Sequence, residues 1–237
     1  MPTVGIIIIG DEILTGKFTD LNTPWLIHRC RELGLDVRRV AIIPDVVPLI
    51  AEEVALQSAR FDHVFTTGGV GPTHDDVTMA GVAAAFGVTA TPHPQLVEIL
   101  RSKMGDACNE AALRMAEVPE GSDLWWDGDV IWPQVVLRNV VIFPGVPSLL
   151  QRKFNAISGR FQGVVMLHER LHTTARETEI ALLLGQAQDR WPQVAIGSYP
   201  DLDRHTVTVT LDSRDADAMA ACAALLRAGL AAWPPVP

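Results

Sequence analysis

Residues 63–78 of the chain read HVFTTGGVGPTHDDVT. The first five of them, His63–Thr67, have the pattern of a short buried strand, and a helix is predicted from about Thr78 to Phe86. The loop between them is rich in glycine, which lets a backbone take positive φ angles and approach a ligand closely. A strand, a glycine-rich loop and a helix in this order predict one unit of a parallel sheet covered by helices.

The same alternation of strand and helix surrounds this stretch. Val4–Ile9 is a continuously apolar, β-branched run, which is typical of a strand buried on both faces of a parallel sheet. Thr23 is a candidate N-cap, because Pro24 after it suits a first helical position. Short connections imply right-handed crossovers. Further strands are predicted at Val37–Ile43 and Val140–Phe143, and further helices at Pro24–Leu33, Pro48–Arg60, 94–116 and Ser148–Phe154.

The last seventy residues have a different rhythm, with the order strand, helix, strand, strand, helix. This order predicts a small α+β lobe built on an antiparallel sheet. We therefore predict an α/β domain with a mainly parallel sheet over residues 1–165 and the small lobe over residues 166–237.

Composition excludes several classes of protein. The 237 residues are 48% hydrophobic and carry a formal net charge of −9, which argues against both a disordered chain and a protein that coats nucleic acid. Three widely spaced cysteines, Cys30, Cys108 and Cys222, predict no disulfide framework and a cytoplasmic location. The apolar run at 4–9 is too short for a signal peptide or a membrane span, so no membrane association is expected.

Four unusual segments follow predicted strands. In a parallel sheet the ligand site lies outside the carboxyl ends of the strands, so these segments are expected to meet at one rim. They are Gly10-Asp11-Glu12, Pro44-Asp45, residues 68–76 and Pro144-Gly145-Val146-Pro147.

The glycine loop predicts an anion site with acidic neighbours. The helix after it presents free N–H groups to an anion, and Thr66, Thr67 and Thr73 add hydroxyls. Asp75 and Asp76 beside a phosphate suggest a divalent cation, because Mg²⁺ favours one or two carboxylates plus phosphate oxygens. The alternative is that one of the two aspartates caps the helix, and we expect one of them to do so.

These motifs resemble those of a known family. Residues 67–78, TGGVGPTHDDVT, are similar to the signature loop of the molybdopterin-binding MoaB/Mog fold family. Gly10 to Gly16, followed by Asp20-Leu21-Asn22, resembles the opening of its CinA-type branch, and Pro144 to Pro147 matches a third motif of that branch. The middle region, with Trp132-Pro133-Gln134-Val135, looks more like the molybdopterin-binding-like half of eukaryotic FAD synthase.

The resemblance implies a three-layer α/β/α domain and a nucleotide or pterin phosphate as ligand. It implies one of three functions: a metal-dependent nucleotide pyrophosphatase that cleaves FAD, ADP-ribose or a similar dinucleotide, a non-catalytic molybdopterin-binding protein, or a molybdopterin adenylyltransferase. We rank them in that order. The implied cofactor is Mg²⁺, Mn²⁺ or Co²⁺, and the implied assembly is a dimer or trimer. We find no motif of the CinA amidase domain or of the synthetase half of FAD synthase, and expect neither domain.

If the site cleaves a pyrophosphate, it needs a loop that binds the anion, a metal and a positioned water molecule. Residues can then be assigned to these roles. Asp76 is predicted to bind the metal, with Asp45 or Asp11 as second ligand or water-orienting base, and Glu12 as the general base if Asp11 caps the first loop. Asp45 could instead be an N-cap before the helix at Pro48. The predicted ligand-binding residues are Gly10, Asn22, Thr67, Gly68, Gly69, Gly71, Pro72, Thr73, Asp75, Pro144, Gly145 and Pro147.

Asn22 is expected to form a hydrogen bond to the base or the ribose of the ligand. An equal alternative is that Asn22 is only a turn residue.

Other candidates are discounted. His168 and His172 lie in a predicted strand and lack a zincin carboxylate. The tryptophans at 125, 126 and 132 could stack on a ligand ring but more often belong to a core or an interface. Arg152 and Lys153 could reach a phosphate, but we expect both on a solvated face.

Overall fold

The computed structural model describes residues 1–126 and 132–234 and divides the chain into two units, which meet in sequence between Gly163 and Val164. Asp127, Gly128 and Asp129, which the sequence places beside the tryptophans, lie outside the described residues. Among the described residues the strands are β1 (Thr3–Ile9), β2 (Asp36–Ile43), β3 (His63–Thr67), β4 (Ala90–Pro92), β5 (Glu117–Pro119), β6 (Asp123–Trp125), β7 (Gln134–Leu137), β8 (Val140–Phe143), β9 (Leu167–Thr173), β10 (Ala195–Asp201) and β11 (Thr206–Ser213).

In the first unit the helices lie between the strands from β1 to β5 and after β8, and in the second unit they lie between β9 and β10 and after β11. They are α1 (Asp11–Leu14), α2 (Asn22–Glu32), α3 (Val47–Ser58), α4 (Thr78–Ala85), α5 (Pro94–Met104), α6 (Glu110–Arg114), α7 (Pro147–Ile157), α8 (Glu177–Arg190) and α9 (Ala216–Leu230).

A six-stranded sheet in the order β2-β1-β3-β8-β7-β6 forms the centre of the first unit. Strand β1 pairs parallel with β2 and β3, and β3 pairs parallel with β8. Strands β7 and β6 extend the sheet antiparallel at one edge. The mainly parallel sheet predicted from the strand and helix alternation is thereby confirmed.

Two hydrophobic cores on opposite faces of this sheet explain the unbroken apolar run in β1. Ile6 and Ile8 pack into one core with residues of α2 and α7, and Ile7 and Ile9 pack into the other with residues of α3, α4 and α5. Because successive side chains of a strand point to opposite faces, both sets of isoleucines are buried only if helices cover both faces. The unit is therefore a three-layer α/β/α domain, as predicted.

The second unit has a three-stranded antiparallel sheet in the order β10-β11-β9. Val207, Val209 and Leu211 alternate along β11 and pack into a separate core with residues of α8 and α9. This is the predicted α+β lobe. No helix of the described residues is long and apolar enough to cross a membrane.

Two local predictions were wrong. Residues 94–116 were expected to be one helical stretch, but Gly105, with φ 53°, ends α5, and α6 restarts five residues later. Thr23 does not cap the next helix; α2 begins at Asn22, and the Asp20 carboxylate accepts hydrogen bonds from the backbone N–H groups of Asn22 and Thr23 at 2.9 and 3.0 Å. An acidic side chain two residues upstream thus satisfies the free N–H groups of the helix start.

Candidate functional site

The four motif segments meet at the carboxyl edge of the parallel sheet. Register places Ile9 beside Ile43, Ile8 beside Thr67, and Thr67 beside Phe143, so the residues after each strand end share one rim. A cavity of about 790 Å³ opens there within the first unit. We call it the rim cavity. The predicted site residues that line it are Glu12, Asn22, Thr67, Gly68, Gly69, Gly71, Asp76, Pro144, Gly145 and Pro147.

The other predicted site residues surround the rim without lining the cavity wall. Pro72, Thr73 and Asp75 are exposed on the outer part of the glycine loop. The remaining ones are Gly10, Asp11 and Asp45, which lie behind that loop at the ends of β1 and β2.

Glycine is required in the loop by close packing as well as by backbone conformation. Gly68 and Gly69 have φ angles of 104° and 60°, which side chains other than glycine rarely adopt. A Cβ on Gly68 would lie 1.9 Å from the carbonyl oxygen of Ile9, and one on Gly145 would lie 3.2 Å from the Gly68 Cα. The loop therefore lies directly against the end of β1 and the segment after β8.

Asp76 closes the outer turn of this loop. Its carboxylate accepts hydrogen bonds from the backbone N–H of Thr73, at 2.8 Å, and from the Thr73 hydroxyl. Neither Asp75 nor Asp76 caps α4, whose N-cap is Val77 with no side-chain hydrogen bond, so the expectation that one of the two aspartates would do so was wrong. The reason is that the Asp76 carboxylate is turned back toward Thr73, which leaves it on the wall of the rim cavity.

Asp45 does not cap α3, whose N-cap is Val46. Its carboxylate instead accepts a hydrogen bond from the backbone N–H of Asp11 at 2.9 Å, at the start of α1. Burial raises the pKa of Asp45, and the hydrogen bond from Asp11 opposes this rise. The negative charges of Glu12, Asp11 and Asp75 raise the pKa further.

A divalent cation would relieve this repulsion, but the chain alone does not complete a metal centre. Within residues 1–126 and 132–234, no three His, Cys, Asp or Glu side chains are grouped so that they could hold a metal ion. One or two carboxylates beside a glycine loop fit Mg²⁺ only together with phosphate oxygens from a ligand. Of the two predicted metal ligands, Asp76 lines the rim cavity and Asp45 does not, so Asp76 is the one that could share an ion with a ligand in the cavity.

Asn22 is buried, and its hydrogen bonds link three of the motifs. Its Nδ2 donates to the Thr67 hydroxyl oxygen at 3.1 Å and to the Gly145 carbonyl at 2.7 Å, while the Thr67 hydroxyl donates to the Pro144 carbonyl at 2.8 Å. The Asn22 Oδ1 is buried and has no hydrogen-bond partner among the residues that the structure describes. Since Asn22 also lines the rim cavity, it has both a structural role and a free acceptor beside the cavity.

The rim cavity has an apolar wall, for which the sequence analysis discounted Trp132 and did not identify the two methionines. Met79, Met115 and Trp132 line it, and they come from three separate elements or loops. Trp125 packs instead against the core on the α2 and α7 face, and Trp126 is exposed. No local pattern marks Met79 or Met115, because only the fold brings them to the cavity.

Lys153 contradicts the expectation of a solvated face. It is 7% exposed, lines the rim cavity, and donates from Nζ to the carbonyls of Trp132 and Pro133 at 3.0 and 2.9 Å. Burial, together with the charge of Arg152, lowers the pKa of the Lys153 ammonium to about 8. Arg152 is exposed, as expected, and it also lines the rim cavity.

Two histidines of the second unit, His168 and His172, have partners within its sheet. His168 and His172 lie on β9, as predicted for a strand, and their Nδ1 atoms are 2.8 Å from Asp212 Oδ1 and 3.1 Å from the Thr208 hydroxyl oxygen. Glu177, at the start of α8, accepts a hydrogen bond from Ser198.

The first unit is a three-layer α/β/α domain with a cavity at the carboxyl ends of its parallel strands, which is where ligands bind in open α/β sheets. The chain belongs to the family described as a probable molybdopterin binding domain, whose model matches residues 5–161. Residues 165–235 match a second model, described as the middle domain of FAD synthase. The resemblance stated from the motifs is confirmed.

Individual relatives agree with both matches. The chain is 38% identical to a protein of Archaeoglobus fulgidus over 82% of this chain and 84% of the relative. It is 31% identical to the probable FAD synthase of Caenorhabditis elegans over 97% of this chain but only 50% of that protein, so it spans half of that relative's length. The crystal structure of CinA from Thermoplasma acidophilum, described as of unknown function, matches with a TM-score of 0.62 and 25% identity over 68% of this chain and 98% of the other.

Proposed function

We propose that this CinA-like chain is a metal-dependent nucleotide pyrophosphatase that cleaves FAD, ADP-ribose or a similar dinucleotide. The observation that carries the proposal is the rim cavity, which joins a glycine loop and an acidic side chain, Asp76, to an apolar wall. A dinucleotide has matching parts, since its phosphates suit the loop and its rings suit the wall. The match of residues 165–235 to an FAD synthase domain supports a flavin or adenine dinucleotide among the candidates.

The loop is proposed to bind the phosphates through the main-chain N–H groups of Gly69, Val70 and Gly71, because main-chain N–H groups and the start of a helix favour negative charge. The N–H groups of Gly68 and Thr73 already donate to the Phe143 carbonyl and the Asp76 carboxylate. When bound, a divalent metal supplies charge neutralisation on the phosphate oxygens and acidifies a water molecule. Glu12 is the better candidate for the general base, because it lines the rim cavity whereas Asp11 does not. Hydrolysis adds water across one P–O–P bond, so FAD gives AMP and FMN.

The test is product formation by the purified full chain. FAD or ADP-ribose is incubated with the protein and Mg²⁺, Mn²⁺ or Co²⁺, and AMP is measured by chromatography. We expect AMP with at least one pairing, and at least a hundredfold loss in Asp76→Asn. Asp106→Asn removes an exposed carboxylate outside the rim cavity and serves as the matched control. A folded chain that yields no AMP with any pairing contradicts the proposal.

The second candidate is a non-catalytic molybdopterin-binding protein, and the description of the matching family favours it. It uses the same loop but needs no metal. Molybdopterin binding that persists after chelation, together with no AMP release, would favour this candidate. A molybdopterin adenylyltransferase is a third possibility, and it would require an ATP-dependent adenylylated product.

A further inference from the structure

Lys153 carries a positive charge that no charged side chain of residues 1–126 and 132–234 neutralises. Its ammonium donates to two neutral carbonyls, those of Trp132 and Pro133, and no carboxylate of the described residues pairs with it. A buried charge without a counter-charge is costly, and buried charges in proteins are generally paired. The position is therefore expensive for folding, which suggests that another component provides the negative charge.

The surroundings of Lys153 restrict where that component can lie. The residue lines the same rim cavity as the glycine loop, and an ammonium has three N–H donors, of which two are used by the carbonyls. The third donor is available to a group in the cavity. An anion is the partner that both the charge and the donor favour.

We propose that Lys153 is a ligand-binding residue that contacts a phosphate of the bound ligand and selects phosphorylated over unphosphorylated nucleosides. This inference rests on the proposed function, since it concerns the ligand of the same cavity. It adds a cationic contact on α7 to the main-chain N–H groups of the glycine loop. The ligand class is a nucleotide whose ring lies against the apolar wall that includes Trp132.

The ionisation of Lys153 agrees with this role. With a pKa of about 8, the ammonium is mostly charged at pH 7 and mostly neutral at pH 9. Arg152 is the charged neighbour that contributes to the lowering of this pKa.

The test compares a charged and an uncharged probe, AMP and adenosine, by calorimetric titration of the full chain at pH 7. In Lys153→Met, which keeps length but removes the charge, AMP affinity is expected to fall at least tenfold while adenosine affinity changes less than twofold. Lys103→Met, at an exposed lysine outside the rim cavity, is expected to change neither. Unchanged AMP affinity overturns the inference, and so does an equal loss for both probes, which would indicate a purely structural role.

A measurement on the wild-type chain covers the case in which Lys153→Met does not fold. AMP affinity is expected to fall about tenfold from pH 7 to pH 9, as the ammonium deprotonates, while adenosine affinity stays constant. A constant AMP affinity overturns the inference. A wild-type chain that binds neither probe overturns the inference, and one that also releases no AMP from FAD or ADP-ribose overturns the proposed function as well. Equal AMP binding by wild type and Lys153→Met overturns the inference alone.

Discussion

Because Gly68 has no side chain, three segments can pack against one another: the end of β1, the glycine loop and the segment after β8. The residue has φ 104°, and the Ile9 carbonyl occupies the space that a Cβ would take. Asn22 then links the neighbouring segments through Thr67 and Gly145. The geometry of the rim cavity thus depends on contacts that residues far apart in sequence make with one another.

Gly68→Ala is expected to lower the free energy of unfolding by roughly 2–4 kcal/mol, because it combines backbone strain with a backbone clash. The measurement is equilibrium unfolding in urea. Gly105→Ala is the matched control, since Gly105 also has a positive φ, 53°, but has open space around it. A loss no larger in Gly68→Ala than in Gly105→Ala would contradict the packing account.

Lys153 predicts a pH dependence of stability. Its pKa in the folded chain is lowered to about 8, so above that pH the unfolded chain binds more protons than the folded one. Stability should therefore rise between pH 8 and about 10.5, by roughly 2–3 kcal/mol relative to Lys153→Met. Urea unfolding of both proteins across this range measures it. Parallel pH profiles would show that Lys153 is not desolvated in solution.

At the scale of single elements, helix α2 begins differently from what its local sequence predicts. Thr23 and Pro24 have the local pattern of a helix start, but the carboxylate of Asp20 satisfies the first N–H groups instead. The same carboxylate lines the rim cavity, so the start of α2 is fixed at the cavity edge.

Asp20→Ala is expected to lower the free energy of unfolding by about 1 kcal/mol, the usual effect of losing a capping carboxylate. Thr23→Ala should change it by less than about 0.5 kcal/mol, because the Thr23 hydroxyl has no hydrogen-bond partner. Thermal and urea unfolding of both variants measure the difference. A larger loss of unfolding free energy in Thr23→Ala than in Asp20→Ala would indicate that Thr23 caps α2 after all.

The bounds of some elements could be predicted from the sequence, whereas the positions of several side chains on them could not. The bounds of β3 and β8 could be predicted, because their apolar runs end sharply at glycine or proline. The burial of Lys153 and the backward turn of Asp76 could not, since each depends on a tertiary or loop contact that no periodicity encodes. The carboxyl-edge rim was predictable from topology, whereas its apolar wall, with Met79 and Met115, was not.

For the whole molecule, the two units have separate hydrophobic cores. The core of the second unit includes Ile180, Val209 and Leu226, all within residues 164–237. Each unit therefore has the apolar burial that independent folding requires.

Residues 1–163 and 164–237, expressed separately, are each expected to unfold cooperatively on heating. Circular dichroism measures both transitions. Ile180→Ala should destabilise residues 164–237 by roughly 2–4 kcal/mol, because it leaves a cavity in a fully packed core. Absence of a cooperative transition in either segment would contradict the independence of the cores.

The central claim concerns the whole rim: the glycine loop holds an anionic ligand by its main chain, with acidic neighbours beside it. A crystal structure of the chain with AMP and Mg²⁺ tests this most directly. We predict phosphate oxygens about 3 Å from the main-chain nitrogens of Gly69, Val70 or Gly71, with the metal bound to Asp76. A phosphate bound away from this loop, with no contact between its oxygens and the loop N–H groups, would contradict the claim.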